Sequence, residues 1–150
     1  LALSGINTYS GGTTVNAGTL ALVNTGLLDN TGSVTLNGGT FDISDVDGAG
    51  VTIGSLASSL GSTVNLGTKI LIFGGSGSPT LAGTIIGTGS ITKQGTGVVT
   101  ITGANSFSGG TTINAGTLAL SATGSLLPTA AVMVNGTATF DISNAIGERQ

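Results

Sequence analysis

Asn7-Thr8-Tyr9-Ser10-Gly11-Gly12-Thr13-Thr14-Val15-Asn16-Ala17-Gly18-Thr19-Leu20-Ala21-Leu22 returns, with conservative exchanges, as Asn105-Ser106-Phe107-Ser108-Gly109-Gly110-Thr111-Thr112-Ile113-Asn114-Ala115-Gly116-Thr117-Leu118-Ala119-Leu120. Self-similarity at a fixed spacing is the mark of a repeat architecture, in which each unit buries its apolar face only by stacking on its neighbours. The two copies are about 98 residues apart, and a smaller unit recurs between them. Val15-Asn16-Ala17-Gly18-Thr19-Leu20 is echoed by Leu36-Asn37-Gly38-Gly39-Thr40-Phe41, by Val64-Asn65-Leu66-Gly67-Thr68-Lys69 and, shortened, by Val134-Asn135-Gly136-Thr137.

Within each unit, apolar residues alternate with polar ones at the period of a β-strand, and Asn with Gly between the two runs marks a corner. Gly18, Gly39, Gly67, Gly95 and Gly116 are the expected turn glycines. The Asn positions step by about 21, 28, 49 and 21 residues, and the long step halves if Thr92-Lys93-Gln94-Gly95-Thr96 supplies a corner with Lys93 in place of Asn. Six coils of about 21 or 28 residues follow, with the larger repeat as the sum of four steps. Residues 51–56 and 81–86 read as extra strand pairs that lengthen two return paths. Stacked coils place like over like, so Asn16, Asn37, Asn65, Asn114 and Asn135 are expected to form one hydrogen-bonded ladder, broken at Lys93. The fold expected is all-β, a parallel β-helix in a single segment over residues 1–150. An antiparallel meander of Asn-Gly hairpins is the rival, but hairpins do not require the same grammar to recur at coil spacing.

Composition agrees with such a stack. Gly reaches 28 of 150 residues and charged residues only 6%, against an ordinary charged share of about 25%. Mean hydropathy of +0.49 means that the chain collapses rather than staying disordered. A net charge of -3 leaves only Lys69, Lys93 and Arg149 as cations, too few to follow a row of phosphates, so no nucleic-acid partner is expected. Neither Cys nor His is present, which removes thiolate and imidazole metal ligands and the commonest general base. There is no apolar run of membrane-spanning length and no signal-peptide pattern. Leu1-Ala2-Leu3 aligns with Val99-Thr100-Ile101, so the chain is read as starting in mid-strand, as a piece of something longer.

Candidate chemistry is sparse. Asp42, Asp45 and Asp47 are the only close carboxylates; Asp45-Val46-Asp47-Gly48 resembles the start of a calcium loop but lacks the later ligands and the closing Glu. Asp141 fills the same motif slot as Asp42, which favours a structural role for both. Lys69 and Lys93 have no acid near them in sequence, so no catalytic or cofactor-binding residue and no cofactor is expected, and the chain is read as a non-enzyme. Tyr9 with Phe107, and Phe41 with Phe140, occupy equal slots, as stacked packing residues would. Thr pairs such as Thr100 with Thr102 are too scattered for one flat ice-binding array.

The stretch from Asn7 to Leu20, preceded in the second copy by Ile91-Thr92-Lys93-Gln94-Gly95-Thr96-Gly97-Val98-Val99-Thr100-Ile101-Thr102-Gly103, resembles the passenger-associated repeat of bacterial autotransporters. The motif covers about residues 90–120, with its second half again at 1–22. The resemblance implies a right-handed parallel β-helix, exported from a Gram-negative cell and displayed outside the outer membrane. It also implies an upstream signal peptide and a translocator barrel in the same longer chain. The function expected is a structural stalk that supports export and adhesion, with a cell-surface ligand or end-to-end self-association as partners. A polysaccharide-binding or polysaccharide-cleaving β-helix is the alternative, by analogy of fold.

Overall fold

Strict in-and-out alternation sets the strands of this chain: Ile70–Phe73 and Ser90–Lys93 bury every second residue, as do Thr40–Ile43 at the start of a longer strand. The structure, a computed structural model, describes residues 1–145. The stretch Ile146-Gly147-Glu148-Arg149-Gln150, which departs from the coil grammar, lies outside the described residues.

Seventeen strands and no helix are found among the described residues. The first six are β1 (Ala2–Leu3), β2 (Thr13–Val15), β3 (Thr19–Asn24), β4 (Ser33–Leu36), β5 (Thr40–Val46) and β6 (Gly50–Thr52). Then come β7 (Ser55–Ser58), β8 (Thr63–Asn65), β9 (Ile70–Phe73), β10 (Thr80–Leu81), β11 (Thr84–Ile86) and β12 (Ser90–Lys93). The series closes with β13 (Val98–Ile101), β14 (Thr111–Ile113), β15 (Thr117–Ala122), β16 (Val132–Val134) and β17 (Thr139–Ala145). They form three sheets, ordered β1-β3-β5-β8-β11, β17-β15-β13-β10-β7-β4-β2 and β16-β14-β12-β9-β6. Every ladder is parallel; none is a hairpin.

The chain therefore winds as a parallel β-solenoid with three faces. Its longest sheet holds seven strands, giving about seven turns. A turn takes between nineteen residues, from Ile101 to its partner Leu120, and twenty-three, from Ser58 to Leu81. At about 4.8 Å per rung the stack rises roughly 29 Å from first to last strand of that sheet. Phe41, Leu56, Leu71, Ile91, Ile101 and Leu118 all belong to one core that runs along the axis. Each such fully buried side chain stabilises the stack by about 1.5 to 3 kcal/mol.

Seven turns replace the six read from sequence, and the reason lies in the corners. Asn37 ends β4 on the seven-stranded sheet, but Asn65 ends β8 on a different face. Their step of about 28 residues is one turn and a third, not one long turn. The step from Asn65 to Lys93 is the same, carrying the chain from the end of β8 to the end of β12 on the third face. The segments taken as extra strand pairs are ordinary faces: 51–56 falls in β6 and β7, and 81–86 in β10 and β11. What varies is the loop that replaces a strand. Residues 25–32 and 104–110 pass one face with only isolated bridges, Ile6 to Leu27 and Ala104 to Ser125.

Consequently the two copies of the large repeat are not superposed along the axis. In the first copy the Asn-Ala-Gly corner joins β2 to β3; in the second it joins β14 to β15, one face away. About four and two-thirds turns separate them.

Candidate functional site

The polar corners are the only places where side chains other than apolar ones enter the architecture in a patterned way, so they form the candidate site. Asn37 donates its side-chain amide to Asn16 Oδ1 at 2.9 Å, and Asn135 donates to Asn114 Oδ1 at 2.8 Å. These are two separate two-rung ladders on different edges. Asn65 joins neither: its amide donates to Asp42 Oδ1 at 3.2 Å, and its own Oδ1 accepts the Gly67 N–H at 3.1 Å. The single five-rung ladder is thus corrected to two Asn pairs and one Asn–Asp rung, because three corners with the same chemistry alternate along the chain. Asn65→Ala is expected to lower stability by about 1 to 3 kcal/mol, since a half-buried carboxylate and a turn N–H both lose a partner. Thermal melts of the variant against the parent check this.

Gly18, Gly39, Gly67, Gly95 and Gly116 all have positive φ, between 56° and 74°. They differ in what surrounds them. A Cβ on Gly18 would meet nothing within 4 Å, whereas one on Gly116 would meet Gly97 O at 2.4 Å and Gly95 O at 2.7 Å.

Lys93 is not a corner rung either. It ends β12 on an inward position, pairs with Ile113 and Phe73, and is fully buried. Its Nζ donates to the carbonyls of Gly95 and Ala115, each at 2.9 Å, and to Gln94 O at 3.4 Å. Burial holds the Lys93 ammonium below the ordinary lysine range. The unfolded chain binds that proton more readily than the folded one over the interval between the two pKa values. Stability is therefore expected to rise as pH climbs through the depressed value toward about 10.4, and the rise is expected to vanish in Lys93→Met. Urea titrations across that interval check the sign.

Asn105, not foreseen among the polar corners, makes the most extensive side-chain connections. It is buried; its Oδ1 accepts the Ile85 N–H at 2.8 Å, and its amide donates to Gly103 O and Ser125 O, both at 3.0 Å. One side chain thus spans three successive turns. Asn7, its counterpart in the first copy, donates likewise to Gly5 O and Leu27 O but is only half-buried. The signal was present, since this Asn opens both copies of the repeat and alternates with Gly103 and Phe107. A second pattern that went unread is the column Thr19, Thr40, Thr63 and Thr84, which stack as register partners on one sheet. Each follows a Gly or Ser, and the recurrence of that pair was the available cue.

The acids are dispersed or engaged. Asp42 accepts the Ser44 N–H at 2.9 Å, and Asp141 accepts the Ser143 N–H at 2.9 Å, which holds the Asp141 carboxyl below the usual range. Thr31 acts on Asp29 in the same way, through its hydroxyl and then its N–H. Asp45 and Asp47 are exposed. Among the described residues no group of three or more acids gathers as a metal site would require. A shallow groove of about 340 Å³ runs along the rod past Thr31, Gly54, Gly74 and Gln94, and its lining is entirely neutral. It offers amides and backbone, with no acid or base.

Against this geometry the comparison with known families is decisive for the repeat. Residues 1–22 and 91–120 match the passenger-associated-transport-repeat. This chain carries that repeat twice. No curated protein and no solved structure matches the chain significantly. Lys93, Asn105, Phe107, Asn114 and Gly116 all fall inside the second matched stretch, so the passenger-associated-transport-repeat includes both the polar staples and the corner. The repeat and the solenoid together fit an autotransporter passenger stalk.

Proposed function

We propose that the chain is a rigid stalk segment of an autotransporter passenger, displayed on the surface of a Gram-negative cell or released from it. The observation that carries this reading is the coincidence of two passenger-associated-transport-repeats with a continuous seven-turn parallel solenoid. A stack of this kind is a spacer: each turn rests only on its neighbours, so length is added without new architecture. It also supplies a direction for export. A turn that emerges from a translocator and docks on turns already folded outside buries apolar surface that cannot readily be withdrawn, which biases passage outward. Adhesion or self-association is a role for whatever the stalk presents.

The test is export of the passenger from cells. Surface accessibility to added protease, followed over time, is expected to appear more slowly in Gly116→Ala than in Gly18→Ala, in proportion to the different damage each does to stacking. Equal export of both, with the stability difference verified on purified protein, would separate folding from export and refute the directional role. Product release from acidic polysaccharides that depends on Asp45 or Asp47 would replace the stalk reading with an enzymatic one.

A further inference from the structure

We infer that Lys93 and Asn105 are register latches: buried polar side chains that fix how the turns of the second repeat slide against one another, where apolar packing alone would select a different alignment. The inference concerns folding of the chain itself and does not depend on the export reading.

The argument begins with β12 and β14. Their observed pairing sets Ile91 against Thr111, Thr92 against Thr112 and Lys93 against Ile113. Thr111 is an inward residue with 1% exposure, and its Oγ1 has no hydrogen-bond partner. Burying a hydroxyl without a partner is unfavourable. Sliding β14 by two residues keeps every side chain on its own face, because the strand period is two. That slide sets Ile113 against Ile91, apolar on apolar, and Thr112 against Ser90. On apolar complementarity the slipped alignment is the better one, yet it is not the one adopted.

What opposes the slip is the pair of latches. In the observed register the Lys93 ammonium reaches the Ala115 carbonyl of the next turn as well as Gly95 O and Gln94 O in its own corner. Displacing Ala115 along the strand would take one acceptor from a fully buried cation. Asn105 adds a second constraint, because its amide and carbonyl are matched to Ile85, Gly103 and Ser125 on three consecutive turns. Any slide between those turns breaks at least one buried bond. Elsewhere the outward positions are largely Thr, Ser and Ala, which are nearly interchangeable and specify register weakly. A buried polar group that selects one alignment among several is the best-attested use of such groups.

The chain has no Cys, so engineered pairs report register without ambiguity. Thr92→Cys with Thr112→Cys reads the observed alignment, and Ser90→Cys with Thr112→Cys reads the slipped one. Under mild oxidation the otherwise unmodified chain is expected to close the first pair at least about tenfold faster than the second. Adding Lys93→Met and Asn105→Leu is expected to erase that preference, while Ile113→Val, which trims the same column without touching a latch, retains it. Unchanged selectivity in the latchless chain overturns the inference, as does equal loss in Ile113→Val. If the latchless chain does not fold, a preformed Thr92–Thr112 disulfide is expected to restore its β-sheet circular dichroism, and failure of that rescue overturns the inference equally.

Discussion

Gly116→Ala is expected to destabilise the solenoid by about 3 to 4 kcal/mol, and Gly18→Ala by only about 1 to 2 kcal/mol. Both glycines sit at the same place in the repeat, with φ of 65° and 72°, so the cost of forcing an L-residue into the left-handed region is shared. The surplus at Gly116 is steric. Its Cβ would lie 2.4 Å from Gly97 O and 2.7 Å from Thr96 C and Gly95 O, all backbone atoms of the turn beneath. Backbone in a parallel ladder cannot move aside without breaking hydrogen bonds, among them Thr117 N to Gly97 O at 3.2 Å. At Gly18 nothing stands within 4 Å of the added carbon. Chemical denaturation of the two purified variants measures the difference, and equal losses would show that the corners are not held by contact between turns.

Those two glycines also show what the sequence could and could not disclose. Alternation such as Ser90-Ile91-Thr92-Lys93 made strands legible, and the recurring Val-Asn-Ala-Gly-Thr-Leu grammar made stacking legible. The number of turns was not, because Asn-Gly corners of identical chemistry occur on more than one edge of a three-sided coil. A spacing of about 28 residues then looks like a longer turn when it is a turn and a third. Lys93 was assigned to a corner by its neighbourhood to Gln94 and Gly95. The alternation that buries Ile91 also points Lys93 inward, and that local signal was the better guide. Asn105 was overlooked because its connections are to backbone groups about 20 residues away on either side, and no residue type in the sequence marks a backbone partner. The Asn16–Asn37 and Asn114–Asn135 pairs were readable from spacing of one turn; the Asp42–Asn65 rung was not, since it joins unlike residues from neighbouring turns.

Phe107→Ala is expected to cost about 3 to 5 kcal/mol, the range for deleting a buried phenyl ring from a packed core, whereas Tyr9→Ala costs well under that. The two residues occupy one slot of the repeat, yet Phe107 is fully buried and Tyr9 is 44% exposed. Phe107 lies in the loop of residues 104–110 that takes the place of a strand. Its neighbours Ser106 and Ser108 donate their N–H groups to Ile85 O and Gly87 O, each at 3.0 Å, so the loop is laced to the turn beneath. That lacing directs Asn105 and Phe107 inward together, and the ring fills the core where strand side chains would otherwise meet. Tyr9 has no such turn beneath it among the described residues, and its hydroxyl is 2.9 Å from Thr13 Oγ1 on the surface. Removing the Phe107 ring opens a cavity beside Asn105, so hydrogen exchange is expected to accelerate at Ile85 and Asn105, whose amides pair across that junction, before it accelerates at Asn37. A uniform acceleration along the rod would mean that the turns unfold as one unit, and that the loop is no more than an irregular face of the same cooperative stack.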